Sequence, residues 1–157
     1  MASFKDAKGR AWPIRITIAS ARTVVAEHQI DLLILHNQAA GVFGRLTASP
    51  HQIVDVCWTL VRKQAEEHKV TAEDFLDAID GDAVEAMTEA LVDGVIDFFR
   101  SNPEKVRVLT AAFKKQRVME GAIADQAVAK IESLTVPPGI LEETTGTTST
   151  GSRASPG

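Results

Sequence analysis

Residues 3–18 read SFKDAKGRAWPIRITI, and this stretch decides how the rest of the chain must be arranged. A polar segment at 6–9 ends in glycine, and apolar side chains then occupy alternate positions at Trp12, Ile14, Ile16 and Ile18. Such alternation is the period of a strand with one buried face. The stretch therefore predicts an N-terminal β-hairpin. Because an isolated hairpin is marginally stable in water, this one has to pack on helices or add strands from another copy.

Two residues of the second strand, Trp12 and Pro13, bear on how the hairpin packs. Pro13 has no backbone N–H to donate to a neighbouring strand, so the side of the strand on which its nitrogen lies is expected at a sheet edge. Trp12 is expected in the core, because it shares its face of the strand with apolar side chains. The alternative is that an open edge lets Trp12 anchor an added strand.

Start signals for three helices follow the hairpin. Ser20 is expected to cap the first helix, although the strand could instead pass into that helix almost without a loop. Asp31 is expected to cap a second helix, whose apolar residues are Leu32, Leu33, Leu35 and Ala39. Ser49 followed by Pro50 combines an N-cap with proline at the first helical position, which predicts a third helix to about His68.

Two further helices are predicted between residues 71 and 98. Thr71 and Asp74 resemble a capping box that opens a short helix ending at Gly81. Asp82 is expected to cap a fifth helix, whose apolar residues recur every three or four positions at Val84, Met87, Leu91, Val95 and Phe98.

The last helix is expected to start at Asn102 and Pro103 and to extend to about Leu134. Beyond Phe113 its apolar face thins to small residues, so that part is expected to be exposed or buried only in a partner. Residues 135–157 contain two prolines and many Thr, Ser and Gly, and are expected to be a flexible, disordered tail. The predicted fold is thus mostly α: a small helical domain with an N-terminal β-hairpin at 1–134, and the tail.

Composition narrows the function. The chain has 157 residues, 45% of them apolar, and a formal net charge of −4. This mild acidity disfavours nucleic-acid binding and docking on anionic lipid. No apolar stretch resembles a signal peptide or a membrane-spanning helix, and the lone Cys57 excludes an intramolecular disulfide. We therefore expect a protein made and used in cytoplasm.

No motif for catalysis, for cofactor binding or for metal binding is found in the sequence. None of the four histidines forms a His-Glu-x-x-His pair: His28, His36, His51 and His68. The acidic run at 74–85 lacks the ligand spacing of an EF-hand and is accounted for by helix capping. Cys57 lies on the apolar face of the third helix, and is expected to be an inert core residue. The basic cluster at 100–117 fits a solvated face, or a contact with a second copy or an acidic partner.

The opening of the chain resembles phage tail assembly chaperones of long-tailed, siphophage-like phages. The matching features are the run FKDAKGRAW at 4–12, the alternating isoleucines, a short amphipathic helix and IDLL at 30–33. Shorter matching stretches continue to about residue 117: IVDV at 53–56, QAEE at 64–67, EDF at 73–75, GDAVEA at 81–86 and DFF at 97–99.

The resemblance implies a non-enzymatic protein of the host cytoplasm that is absent from the mature virion. Such chaperones bind the tape measure protein, keep it soluble and help tail tube protein to polymerise around it. A helical domain could cover an amphipathic segment of that partner with an apolar groove. The expected partner-binding residues are Val95, Phe98, Phe99, Leu109 and Phe113, for which plain core packing is the alternative. A homo-oligomer is also compatible with the sequence.

Other functions stay open at this point. A structural protein of the tail or the head-tail connector would remain in purified particles. A small enzyme with a scattered site would show a deep polar pocket with converging titratable groups. A helix-turn-helix DNA binder is disfavoured, because the region around Thr71–Ile79 is acidic where a recognition helix is basic.

Overall fold

The computed structural model describes residues 1–35, 37 and 41–134. The chain divides into two compact units, Met1–Lys115 and Gln116–Gly157. The elements follow in the order β1 (Ser3–Lys5), β2 (Ala11–Pro13), α1 (Ile18–His28), a 3₁₀ turn (Leu32–Ile34), α2 (Val42–Thr47), α3 (Pro50–Glu67), α4 (Ala72–Leu76), α5 (Gly81–Phe98) and α6 (Pro103–Leu134). The predicted fold class, a mostly helical chain with an N-terminal hairpin, is confirmed. The predicted tail at 135–157 lies outside the described residues, as do His36 and Ala39.

The hairpin forms where the alternating pattern predicts it, but its second strand is shorter. β1 and β2 pair antiparallel, with Phe4 opposite Trp12. Ile14 and Ile16 remain buried beyond the last paired residue. Ile18 is 51% exposed because it opens α1 instead of continuing the strand. The N-cap is Thr17 and not Ser20, since Thr17 accepts from the backbone N–H of Ser20 in a capping box.

Asp6 locks the hairpin turn with a buried carboxylate. Its Oδ1 accepts the backbone N–H groups of Lys8 and Arg10 at 3.0 and 2.9 Å. Its Oδ2 accepts Arg10 Nε–H at 2.6 Å and Trp12 Nε1–H at 3.0 Å. Burial alone would raise the pKa of Asp6, but these hydrogen bonds hold it below its ordinary value.

An aromatic cluster around Phe75 joins the hairpin to the helices. The Phe75 ring centroid lies 5.4 Å from that of Trp12, 5.0 Å from Trp58 and 6.4 Å from Phe4. Trp12 is therefore a core residue, and the alternative that it anchors an added strand is not needed. Gln64 Nε2 donates to the carbonyl of Pro13 at 2.8 Å, which fixes β2 against α3.

Several helix boundaries differ from the sequence-based expectation. Asp31 caps a 3₁₀ turn rather than an α-helix, and a separate helix, α2, begins at Val42. The short helix opened by Thr71 ends at Leu76, before Gly81. Gly81 instead begins α5, whose N-cap is Asp80 and not Asp82, because Asp80 Oδ1 accepts the Ala83 N–H at 2.9 Å. The expected ranges of α3 and of α6 agree with the structure.

The second unit contains the distal part of α6. Side chains from 117 to 133 are exposed, as the thinning of the apolar pattern beyond Phe113 predicts. Among the described residues, no helix is both long enough and apolar enough to cross a membrane.

Candidate partner-binding surface

The five predicted partner-binding residues divide into two groups. Val95, Leu109 and Phe113 are buried, and the Phe113 ring lies 4.7 Å from that of Phe43. Phe98 and Phe99 are half-buried and accessible from outside. The buried three are core residues in this conformation, so only the two phenylalanines at the end of α5 could meet a partner without rearrangement.

Phe98 and Phe99 form a small aromatic surface at the end of α5. Their ring centroids are 4.9 Å apart in an edge-to-face arrangement. Lys105 Nζ lies 4.7 Å from the centroid of the Phe99 ring, a cation–π distance. Phe98 also borders a shallow groove of about 350 Å³ between α5 and the chain that follows β2. Ionic side chains, Asp97 and Arg100, cap that groove and pair with each other at 3.1 Å.

A larger groove lies between the start of α3, the end of α4 and the start of α5. It has a volume of about 580 Å³. Its apolar lining consists of Pro50, Val54, Leu76, Ile79 and Val84. We call it the α3–α5 groove. Leu76 is 50% exposed within it, which leaves substantial apolar surface in contact with water.

The groove forms where α4 ends, at Leu76. Thr71 Oγ1 accepts the Asp74 N–H at 3.1 Å and starts the short helix, which ends at Leu76. The chain then passes through Ile79 to Asp80, whose side chain caps α5. This short connection places Leu76 and Ile79 opposite the first turn of α3. The sequence signals of both caps are local, whereas the apposition with α3 comes from tertiary packing.

The rim of the α3–α5 groove carries acidic groups. Asp55 and Asp80 border it together with His51, and Asp77 and Asp82 are exposed beside it in the chain. The role of Asp80 in capping explains its presence without a ligand. The combination of apolar lining and acidic rim nevertheless favours a partner that presents an apolar stripe flanked by basic side chains.

A cluster of polar side chains lies between α1 and α3. Arg62 Nη2 donates to Glu27 Oε1 at 3.0 Å, and Thr59 Oγ1 donates to Glu27 Oε2 at 3.0 Å. His28 Nε2 lies 2.8 Å from Thr59 Oγ1. The hydrogen bond from Arg62, followed by that from Thr59, lowers the pKa of the exposed Glu27. The cluster borders neither groove described above, and its contacts tie α1 to α3.

Cys57 is not suited to nucleophilic chemistry. Its side chain is buried, and this burial raises the pKa of the thiol to about 12. The thiolate that would react is therefore not populated near neutral pH. Among the described residues, no group of three or more His, Cys, Asp or Glu side chains is placed to hold a metal ion.

Comparisons of the chain with models of protein families, with curated proteins and with solved structures gave no match.

Proposed function

We propose that the protein is a phage tail assembly chaperone that binds the tape measure protein, keeps it soluble and promotes assembly of the tail tube. It acts in the host cytoplasm and is left out of the mature virion. The observation that carries this proposal is the α3–α5 groove, an open apolar groove with an acidic rim on a small helical domain. The resemblance of residues 3–117 to tail assembly chaperones points the same way.

The α3–α5 groove suits one face of an amphipathic helix. A long helical protein that waits for its tail tube exposes apolar stripes and tends to aggregate. The volume of the groove is about 580 Å³ and its lining is largely apolar, as expected for a groove that takes up apolar side chains of a helix. Burying one aliphatic side chain fully contributes about 1.5–3 kcal/mol. Several weak contacts of this size hold a partner and still release it during assembly.

The acidic rim adds an electrostatic contribution to this binding. Asp55 and Asp80 lie at the groove mouth, so basic residues beside the apolar stripe of the partner dock favourably. Exposed charges are screened by salt, and binding is therefore expected to weaken as the ionic strength rises. The partner segment we expect is an amphipathic helix with Lys or Arg next to its apolar face.

A pull-down with the tape measure protein of the same phage genome tests the proposal. The tagged wild-type chain is compared with Leu76→Lys, which removes an apolar contact and places a positive charge against a basic partner. Val108→Lys is the matched control, since Val108 is also 50% exposed but lies on α6 outside the groove. We expect Leu76→Lys to weaken binding about tenfold, equivalent to about 1.4 kcal/mol, and the control to bind like wild type.

Purified virions provide the second readout. A chaperone is absent from them, whereas a structural protein of the tail or connector is present in fixed copy number. Failure to bind the tape measure protein, together with presence in particles, would replace the chaperone with a structural role.

A further inference from the structure

One face of the distal part of α6 combines two apolar residues with one acidic and one basic residue. Positions 116, 120, 123, 127 and 130 follow one another in steps of four and three, which places them on one face. They are occupied by Gln116, Glu120, Ile123, Ala127 and Lys130. We call this set the α6 seam. Ile123 is 62% exposed on it, and Met119 at its flank is 50% exposed. Val118 and Val128 lie on other faces of the helix.

We propose that two copies of the chain pair along the α6 seam in antiparallel orientation, with the two-fold axis next to residue 125. In this arrangement, residues equally far from 125 in opposite directions share one layer of the interface. Ile123 then packs beside Ala127 of the second copy, and Glu120 lies beside Lys130 of the second copy. Because the axis is two-fold, every such contact occurs twice.

Charge complementarity selects this orientation. The antiparallel register places one carboxylate and one ammonium group in each outer layer. A parallel pair in register would bring Glu120 against Glu120 and Lys130 against Lys130 of the second copy. Like charges that face each other in one layer destabilise a helix pair, and opposite charges across the pair favour the orientation that brings them together. In the parallel pair, both charged layers would therefore hold like charges, whereas in the antiparallel pair both hold opposite charges.

Side-chain volumes point to the same register. The antiparallel pair sets the branched side chain of Ile123 against the single methyl of Ala127, which lets the two helices approach closely. A parallel pair would place two isoleucines in one layer and two alanines in the next, and these two layers would require different distances between the helices. Size and charge thus agree on one arrangement, although they are independent properties of the α6 seam.

The α6 seam is short, so the predicted dimer is weak. Residues 116–133 span about 27 Å at 1.5 Å per residue. Its central layers combine two small apolar pairs with two exposed ionic pairs, which places the interface at the small end of the usual size range. Self-association should therefore be sought at high protein concentration and moderate ionic strength.

Sedimentation velocity of the full chain tests the proposal, at concentrations between about 5 and 500 µM because a small interface dissociates on dilution. We expect a reversible monomer–dimer equilibrium for the wild type. Glu120→Lys alone and Lys130→Glu alone each create two like-charge layers, and each should weaken the dimer at least about tenfold. The double swap Glu120→Lys with Lys130→Glu restores both opposite-charge layers of the antiparallel pair and should restore the dimer. Glu132→Lys, on the opposite face of the helix, is the matched charge control.

Two results would overturn the inference. A wild-type chain that sediments as a monomer over the whole range excludes the dimer, even if a different partner covers the α6 seam. A dimer that withstands both single reversals excludes this register. Because the substituted side chains are exposed, unchanged helix content by circular dichroism is expected for every variant and is checked first.

Discussion

Replacing Asp6 with asparagine is expected to destabilise the fold by about 2–4 kcal/mol. In the wild type, Oδ2 accepts hydrogen bonds from Trp12 Nε1 and Arg10 Nε, while Oδ1 accepts two backbone N–H groups. An asparagine that keeps the two backbone bonds must turn its amide NH₂ toward two donors. The indole N–H of Trp12 is buried and then has no acceptor, which costs about 1–3 kcal/mol.

The lost bond to Arg10 adds a smaller part. A charge-assisted hydrogen bond is worth about 1.5–3 kcal/mol when desolvated. The Arg10 side chain is 29% exposed and can turn partly toward water, so we count about half of that value or less. The combined loss is a large fraction of the roughly 5–15 kcal/mol that stabilises a typical domain. Flipping the amide does not help, because two backbone N–H groups would then lose their acceptor.

Urea unfolding at neutral pH, followed by the fluorescence of Trp12 and Trp58, measures this loss. Asp93→Asn is the matched control, since Asp93 is exposed on α5 and its substitution should change the free energy of unfolding by less than about 0.5 kcal/mol. A loss of less than about 1 kcal/mol for Asp6→Asn would show that the carboxylate does not stabilise the hairpin turn through these four hydrogen bonds.

The difference in unfolding free energy between the wild type and Asp6→Asn is expected to depend on pH in a defined direction. Burial would raise the pKa of Asp6, but hydrogen bonds from Trp12 and Arg10 lower it by more, so the folded value lies below the unfolded one. The stabilisation is therefore fully present above the unfolded pKa of about 3.9, and it is lost as the pH falls through the folded pKa. The difference in unfolding free energy between wild type and Asp6→Asn should stay constant from about pH 5 to 8 and shrink below about pH 4. A difference that does not shrink at all as the pH falls below the unfolded pKa of about 3.9 would contradict the assignment.

Three further predictions concern the core of the first unit. Gly94→Ala should destabilise the fold by about 1–3 kcal/mol, because the new Cβ would lie 2.9 Å from Ile14 Cγ2. In the same unfolding assay, Gly44→Ala should be neutral or stabilising, because a Cβ at this position of α2 meets open space. Cys57 should resist a thiol reagent at pH 8 in the native protein and react rapidly in urea, and fast native labelling would refute its burial. Leu109→Ala should cost about 2–5 kcal/mol in unfolding, since Leu109 is buried; selective loss of partner binding at unchanged stability would instead support its predicted role as a contact residue.

The sequence predicts the helices best where periodicity and a start signal coincide. Ser49 and Pro50 mark the beginning of α3, and Pro103 that of α6, as observed. The predicted starts of α1 and α5 were wrong, because two hydroxyl residues or two acidic residues near each start could act as the N-cap. Asp80 and Asp82 both resemble the start of α5, and the structure has Asp80 as the N-cap and Gly81 as the first residue of the helix. The second strand was expected to reach Ile18 because alternation alone does not register a helix start at Thr17.

The candidate partner-binding surface was less accessible to sequence reasoning. Apolar periodicity places Val95 on the apolar face of α5, and Leu109 and Phe113 on the apolar face of α6. It cannot tell a core residue from a groove residue, because the packing partner is distant in the chain. The capping signal at Thr71 predicts a short helix, but it does not indicate that Leu76 and Ile79 line a groove. Asp6 was expected only as part of a polar turn, because its hydrogen bonds with the Arg10 and Trp12 side chains depend on how the hairpin folds.

The measurement that tests the proposed function most directly is the fraction of the tape measure protein that stays soluble in a host lysate. It is determined with no co-expressed chain, with the wild type, and with the Leu76→Lys and Val108→Lys variants. We expect a soluble partner with the wild type and with Val108→Lys, a smaller soluble fraction with Leu76→Lys, and an aggregated partner with no chain. A partner that is equally insoluble in all four lysates, or equally soluble with both variants, would contradict chaperoning through the α3–α5 groove.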